Sequence, residues 1–287
     1  MRYKYNKFYI LFSLIIFLLI ILLTGCVPPA GSSGGGSDGG GIIYTVSYDG
    51  NGNTDGSTPS PAGYAINSTV TAAENSGNLL RINVSGVSYK FDNWNTKANG
   101  TGIDYEAGTG TFTITSNITL YAQWVPYSVQ DVGPAGGYIF YDKGDYTEGW
   151  RYMEAATEDF FNGIGYSWGT DGVDVGADGY ALGDGHINTI NIVINDPASD
   201  TAADRCVNYS INNGGIIFDD WYLPSDDELI LMYSVLYLNG LGDFIGDIYW
   251  SSSEISALAA RGRDFVDGSA YNATKNNTVR IRAHRTF

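Results

Sequence analysis

Apolar and polar positions alternate with a period of two through residues 42–126, the spacing of strands that bury one face. "IIYTVSYDGNG" alternates and then breaks at Asp49-Gly50-Asn51-Gly52, a strand entering a turn. Further runs of strand character are "STVTAA", "YKFDNWNT", "TFTITS" and "ITLYAQW", and no long window keeps a helical period. Trp94 and Trp124 stand among apolar neighbours in these runs, which predicts core packing for both. The segment reads as a small β domain.

The pattern changes over residues 127–287. "GPAGGYIFYDKG" is a turn leading into an apolar strand, and "GWRYMEAA" follows. A Gly/Asp-rich stretch runs from Asn162 to Gly185. "SDTAADRCVNYSI" places Ala202, Ala203, Cys206 and Val207 on one helical face, which makes Cys206 a core residue. In "WYLPSDDELILMYSVLYLNG", Ser225 and Glu228 form a capping box, and Leu229, Met232 and Leu236 make the apolar stripe. Asn239-Gly240 supplies the stop, and Asp226 and Asp227 suit the positive helix end. "DIYWSSSE", "RDFVDG" and "NTVRIRAHRTF" are the closing strand candidates. Between Ile255 and Asn277 the alternation is lost, which predicts loops. A strand, two helices and a terminal set of strands make an α+β domain.

The N-terminus differs from both. "MRYKYNKFYILFSLIIFLLIILLTGC" joins a basic start to an apolar run from Phe8 to Leu23, the make-up of an export signal and short of the roughly 20 residues of a spanning helix. Its end, Leu23-Thr24-Gly25-Cys26, resembles the lipobox of bacterial lipoproteins. The resemblance implies removal of residues 1–25 and lipidation of Cys26, hence a membrane as partner through buried acyl chains and a place on the bacterial envelope. Residues 26–41, with "VPPAGSSGGGSDGGG", then read as a flexible tether.

Charge narrows the partners. The chain carries 15 Lys and Arg against 31 Asp and Glu, a formal net of −16; without Arg2, Lys4 and Lys7 the remainder stands near −19. Such a body repels nucleic acid and anionic polysaccharide over most of its surface. The exception is Arg261 to Phe287, where six Lys and Arg outnumber Asp264 and Asp267. Two cysteines and two histidines leave little for a Cys/His zinc site.

Two stretches resemble known families. "YTVSYDGNG", "FDNWNTKANGTGIDYEAGT" and "TITSNITLYAQW" resemble the Listeria–Bacteroides repeat of internalin-type surface proteins, which implies a β-grasp-like fold and a surface spacer or adhesive module. The segment "AAENSGNLLRINVSGVS" departs from it as an insert before Tyr89. "GPAGGYIFYDKG", "GWRYMEAA", "WYLPSDDELILMY", "YWSSSE" and "VRIRAHRTF" resemble the Lcl-type C-terminal domain of the Legionella collagen-like adhesin. That resemblance implies a C-type-lectin-like fold, related to formylglycine-generating enzyme, and adhesion to a glycan or protein ligand, with a homo-oligomer among the expectations. The Glu-Pro-Asn and Trp-Asn-Asp sugar motifs of calcium-dependent lectins and the paired cysteines of the related enzymes are absent, so neither activity is implied.

The resemblance places a ligand face in the late region: Ile255, Ser256, Ala257, Arg261, Arg263, Asp264, Asp267, Ser269, Tyr271, Asn272 and Lys275. Arg261, Arg263, Lys275 and Tyr271 supply cationic and aromatic groups suited to anionic or glycan ligands. Arg280, Arg282 and Arg285 serve equally well as partners of the acidic body. Some proteins with this domain are targets of diversity-generating retroelements, an alternative for Ile255 to Asn277; a structural envelope lipoprotein is the other. Competing chemistry is weaker. "GYSWG" matches G-x-S-x-G, but no helix follows it. Asp171, Asp174, Asp178 and Asp184 are hard ligands of the kind that hold a structural calcium, yet their spacing departs from the calcium-loop pattern, so solvated turns and no cofactor are expected. Ser251 to Ser253 beside Glu254 read as structural polar groups. The expectation is a non-catalytic protein.

Overall fold

The structure is a computed structural model that describes residues 41–83 and 86–287. The lipobox, Cys26 and most of the tether lie outside the described residues. Residues 41–287 form one compact unit. It is mostly β, and every ladder pairs strands of residues 43–126 with one another or strands of residues 138–286 with one another.

The first group holds β1 (Ile43–Asp49), β2 (Ala62–Ala65), β3 (Thr69–Thr71), β4 (Leu80–Ile82), β5 (Ser88–Asn95), β6 (Asp104–Tyr105), β7 (Thr111–Thr113) and β8 (Ile118–Pro126). Its main sheet runs β2-β1-β8-β5-β4 with β6 on β5, and β1 and β8 are parallel neighbours. All the runs read as strands from alternation are strands. Trp94 is fully buried, and its indole N–H donates to the Ala73 carbonyl at 2.8 Å. Tyr48 and Phe91 meet it edge-on. Trp124 is half-buried and donates to the carbonyl of Asn51, which holds a left-handed φ of 47° in the turn after β1.

The second group holds β9 (Tyr138–Asp142), β10 (Tyr152–Ala155), β11 (Tyr166–Ser167), β12 (Ile211–Asn213), β13 (Ile216–Phe218), β14 (Ile248–Ser256), β15 (Ala259–Asp264), β16 (Ala270–Thr274), β17 (Thr278–Val279) and β18 (His284–Thr286), with α1 (Asp184–Asn195), α2 (Ala202–Val207) and α3 (Asp226–Leu231). Strands β18, β10 and β9 make one sheet and β14, β15 and β16 another. Glu154 on β10 is fully buried and accepts from the Ala135 and Gly137 amides, which fixes the "GPAGG" turn. A Cβ on Gly137 would stand 1.8 Å from the Ala155 carbonyl, so that position requires glycine.

The capping box of α3 forms in both directions, with the Ser225 amide donating to Glu228 at 2.6 Å. The helix widens into a π turn (Met232–Leu236), tightens in a 3-10 turn (Tyr237–Asn239), and stops at Gly240 with φ of 68°. Cys206 is buried in α2 beside Ala202 and Ala203, whereas Val207, expected on the same face, is 37% exposed. Helix α1 has no counterpart among the predicted helices. It buries Gly185, Asn188, Thr189 and Ile192 and leaves Ile187 and Ile194 exposed. Among the described residues no helix is long and apolar enough to cross a membrane.

Candidate functional site

The late region is a three-stranded antiparallel meander; β15 and β16 stand where mostly loops were expected, and of "RDFVDG", expected as a strand, only Arg263 and Asp264 belong to β15 before the chain turns. β15 pairs with β14 and β16 in a register that sets Arg261 opposite Asn272 and Arg263 opposite Ala270. Side chains alternate between faces. Ala260, Gly262, Tyr271 and Ala273 turn inward, and a Cβ on Gly262 would stand 2.5 Å from the Tyr249 carbonyl. Apart from Tyr271 the inward positions are small, so the strand alternation carries little hydrophobic signal.

Arg261, Arg263 and Asn272 share the outer face. Asp226, at the start of α3, accepts both arms of Arg263, Nε at 2.8 Å and Nη2 at 2.6 Å, a bidentate pair that satisfies both partners. Arg261 lies 3.8 Å from the same carboxylate, and its guanidinium makes no hydrogen bond. It rests over the Tyr180 ring, 5.5 Å from the centroid, and is 25% exposed. Tyr180 is itself fixed, its hydroxyl donating to the Glu254 carbonyl at 2.9 Å. Burial and the neighbouring Asp226 push Asp227 above the usual carboxylate range.

The remaining residues expected at the face fall into three places. Ile255 and Ser256 end β14 exposed, and Ala257 turns toward the exposed Leu258. Asp264, Asp267 and Ser269 form the turn at the other end of β15 and bond to one another: Ser269 donates its amide to Asp267 at 2.8 Å, and Asp264 donates its amide to the Ser269 carbonyl. The Ser269 hydroxyl and amide hold Asp267 below its ordinary range. Tyr271 points inward against Trp250, ring centroids 5.8 Å apart, which corrects the expectation of an outward aromatic. Lys275 is the clearest correction. It is fully buried, pairs with Glu254, and lies over the Trp168 ring. No ligand in solvent reaches it.

The serines of "YWSSSE" are fully buried framework. The Ser251 hydroxyl donates to the Arg261 carbonyl, and Ser253 donates to the Gly179 carbonyl while accepting the Asp226 amide. Glu254 accepts the Val175 and Ala177 amides. Ser167 of "GYSWG" lies on β11. The two histidines are engaged elsewhere, His186 against the Tyr222 ring and His284 at 3.0 Å from buried Glu228. Burial pushes Glu228 up, but His284 and the Ser225 and Gly183 amides outweigh it, leaving the carboxyl below its ordinary value. The loop aspartates cap turns: Asp174 accepts the Gly176 amide and Asp184 the Ala181 amide. Among the described residues no group of three or more His, Cys, Asp or Glu could hold a metal.

The C-terminal arginines pair with the acidic body. Arg280 binds Asp247, Arg282 binds Asp159, and Arg285 binds Asp220 and Glu154. Sequence reasoning missed Tyr180 and gave Asp226 only a helix-start role. The local signal at Asp226 is the capping box, which says nothing about an arginine 37 residues on.

Comparison with known protein families matches residues 44–123 to the Listeria-Bacteroides repeat domain. No curated protein matches the chain. The match falls within the β1–β8 segment and supports the resemblance of that segment to the repeat.

Proposed function

We propose that this is an exported, lipid-anchored bacterial surface protein whose C-terminal region, residues 127–287, binds a glycan or protein ligand non-covalently. In this reading residues 1–25 are a signal peptide, Cys26 carries the lipid and residues 26–41 are the tether. Residues 42–126 are a β-grasp-like repeat that carries a C-type-lectin-like domain. The repeat match supports the surface assignment.

Arg261 carries the binding proposal. Of the three cations expected on the face, Lys275 is buried and Arg263 is spent on Asp226; Arg261 is a quarter exposed over a fixed aromatic ring, with its Nε buried at 3.8 Å from Asp226 and the solvent-facing part of the guanidinium left for a ligand. A guanidinium so held suits a carboxylate or sulfate group of an acidic glycan, with Asn272 alongside as a neutral hydrogen-bonding group. The test is a glycan and protein array probed with residues 41–287 and with Arg261→Ala. Binding lost in the variant supports the site. Equal binding by both discards it, and silence of the wild type across the array favours a structural envelope role.

A further inference from the structure

Within the insert, where the chain departs from the repeat pattern, residues 78–82 and 88 lie against residues 127–287. Neighbouring side chains of an extended strand point to opposite faces. Leu79, leading into β4, is 1% exposed and belongs to the repeat core with Val46, Trp94 and Leu120. Leu80, the next residue, packs against the core of the C-terminal region. Two adjacent leucines enter two different cores.

Polar contacts surround them. Asn78 donates its side-chain amide to the Asn213 carbonyl at 3.3 Å, and the Ser88 amide donates to the Tyr146 hydroxyl at 2.9 Å. Lys90 on β5 pairs with Asp131 at 2.7 Å, both partly buried. The β12–β13 hairpin presents Gly214 at φ of 63°, and a Cβ there would stand 2.4 Å from that of Asn78. Leu80, Ile82 and Ser88 meet Pro134, Phe218 and Phe287 across a crevice of about 60 Å³, and an open cleft of about 290 Å³ runs beside it between Asn75, Lys90, Asp131 and Pro134.

The covalent junction has no slack either. Strand β8 runs to Pro126, and Tyr127 is 5% exposed, packed between Tyr152 and Phe287 with ring centroids 5.7 and 5.5 Å away. Boundaries between independent domains fall in exposed, flexible linkers; here Pro126 and Ser128 are exposed but Tyr127 between them is anchored in a core.

We propose that Asn78 to Ile82, with Ser88 and Lys90, are an internal clamp that holds the repeat to the C-terminal region, making the repeat a rigid mount. The partner of the clamp surface is the chain's own 127–287 region, and the inference holds whatever ligand that region binds. Its consequence is that the outer face of β15 keeps a fixed direction relative to β1, the first strand of the repeat.

Backbone nitrogen relaxation on residues 41–287 tests it. The wild type gives one rotational correlation time for both regions, and Leu80→Asp with Lys90→Glu gives two shorter ones while both sets of core resonances stay dispersed. Separate tumbling in the wild type overturns the proposal, as does an unchanged single correlation time in the variant. If Leu80→Asp unfolds the chain, Gly214→Val, which displaces Asn78 and leaves the Leu79 core untouched, is judged by the same criterion.

Discussion

Lys275 and Glu254 form the pair on which the corrected view of the ligand face depends. Their side chains are 0% and 1% exposed. The ammonium contacts the carboxylate and the Val173 carbonyl and lies 4.7 Å from the Trp168 centroid. Glu254 holds Val175 and Ala177 from the other side, so the pair ties the Gly/Asp-rich loop to β14 and to the residue after β16. Lys275→Met keeps the length of the stem and removes the charge. The carboxylate is then buried with backbone amides alone, and the Val173 carbonyl loses its donor. Breaking a buried pair from one side costs about 3–5 kcal/mol. The amide bonds that remain place the expected loss near the lower end, about 3 kcal/mol. That is a large share of a domain stability of about 5–15 kcal/mol. Urea unfolding of wild type, Lys275→Met, Glu254→Gln and the double variant measures it, and the double variant should recover part of the loss because no orphan charge is left. A loss under about 1 kcal/mol, the range of exposed pairs, would refute the buried pair and return Lys275 to the ligand face.

Burial pushes Glu154 from 4.5 up to about 6, against the pull of Arg285 and of the Ala135 and Gly137 amides. Between those values the folded state holds the proton more tightly than the unfolded state, so this group's contribution to stability falls as pH rises through the window. Glu154→Gln should remove that component; melting temperatures that run parallel to wild type across the window would contradict it. Burial pushes the Cys206 thiol up and closes it to solvent, so a thiol reagent should modify it only at the rate of unfolding, and fast reaction of the native chain would count against its core position. Cys26→Ser should abolish incorporation of labelled fatty acid into the expressed protein, and unchanged labelling would remove the lipid anchor from the proposal.

What was legible in the sequence follows from which faces are apolar. The strands of the repeat alternate Val46, Val70 and Leu120 with polar neighbours, and their period survives in the structure. The capping box at Ser225 and the stripe of Leu229, Met232 and Leu236 are local chemistry and were readable. Helix α1 was not, because its amphipathicity is reversed. Asn188 faces inward and exchanges hydrogen bonds with Gly179, and the Thr189 hydroxyl donates to the Gly185 and Leu223 carbonyls. Strands β15 and β16 were hidden by small inward residues. Lys275 carried a surface residue's charge, and its burial depends on Glu254, 21 residues earlier and brought close by the meander. Arg263 was misjudged for the same reason, since its partner Asp226 comes from another element.

The most direct test of the binding claim is a titration of residues 41–287 on an immobilised sulfated glycan at low and high salt, with Arg261→Ala and Lys275→Met alongside. The account predicts binding that weakens as salt rises, a loss of at least about tenfold for Arg261→Ala, as for a charged hydrogen bond, and wild-type affinity for the folded fraction of Lys275→Met. Salt-insensitive binding, or equal affinity of wild type and Arg261→Ala, would contradict it.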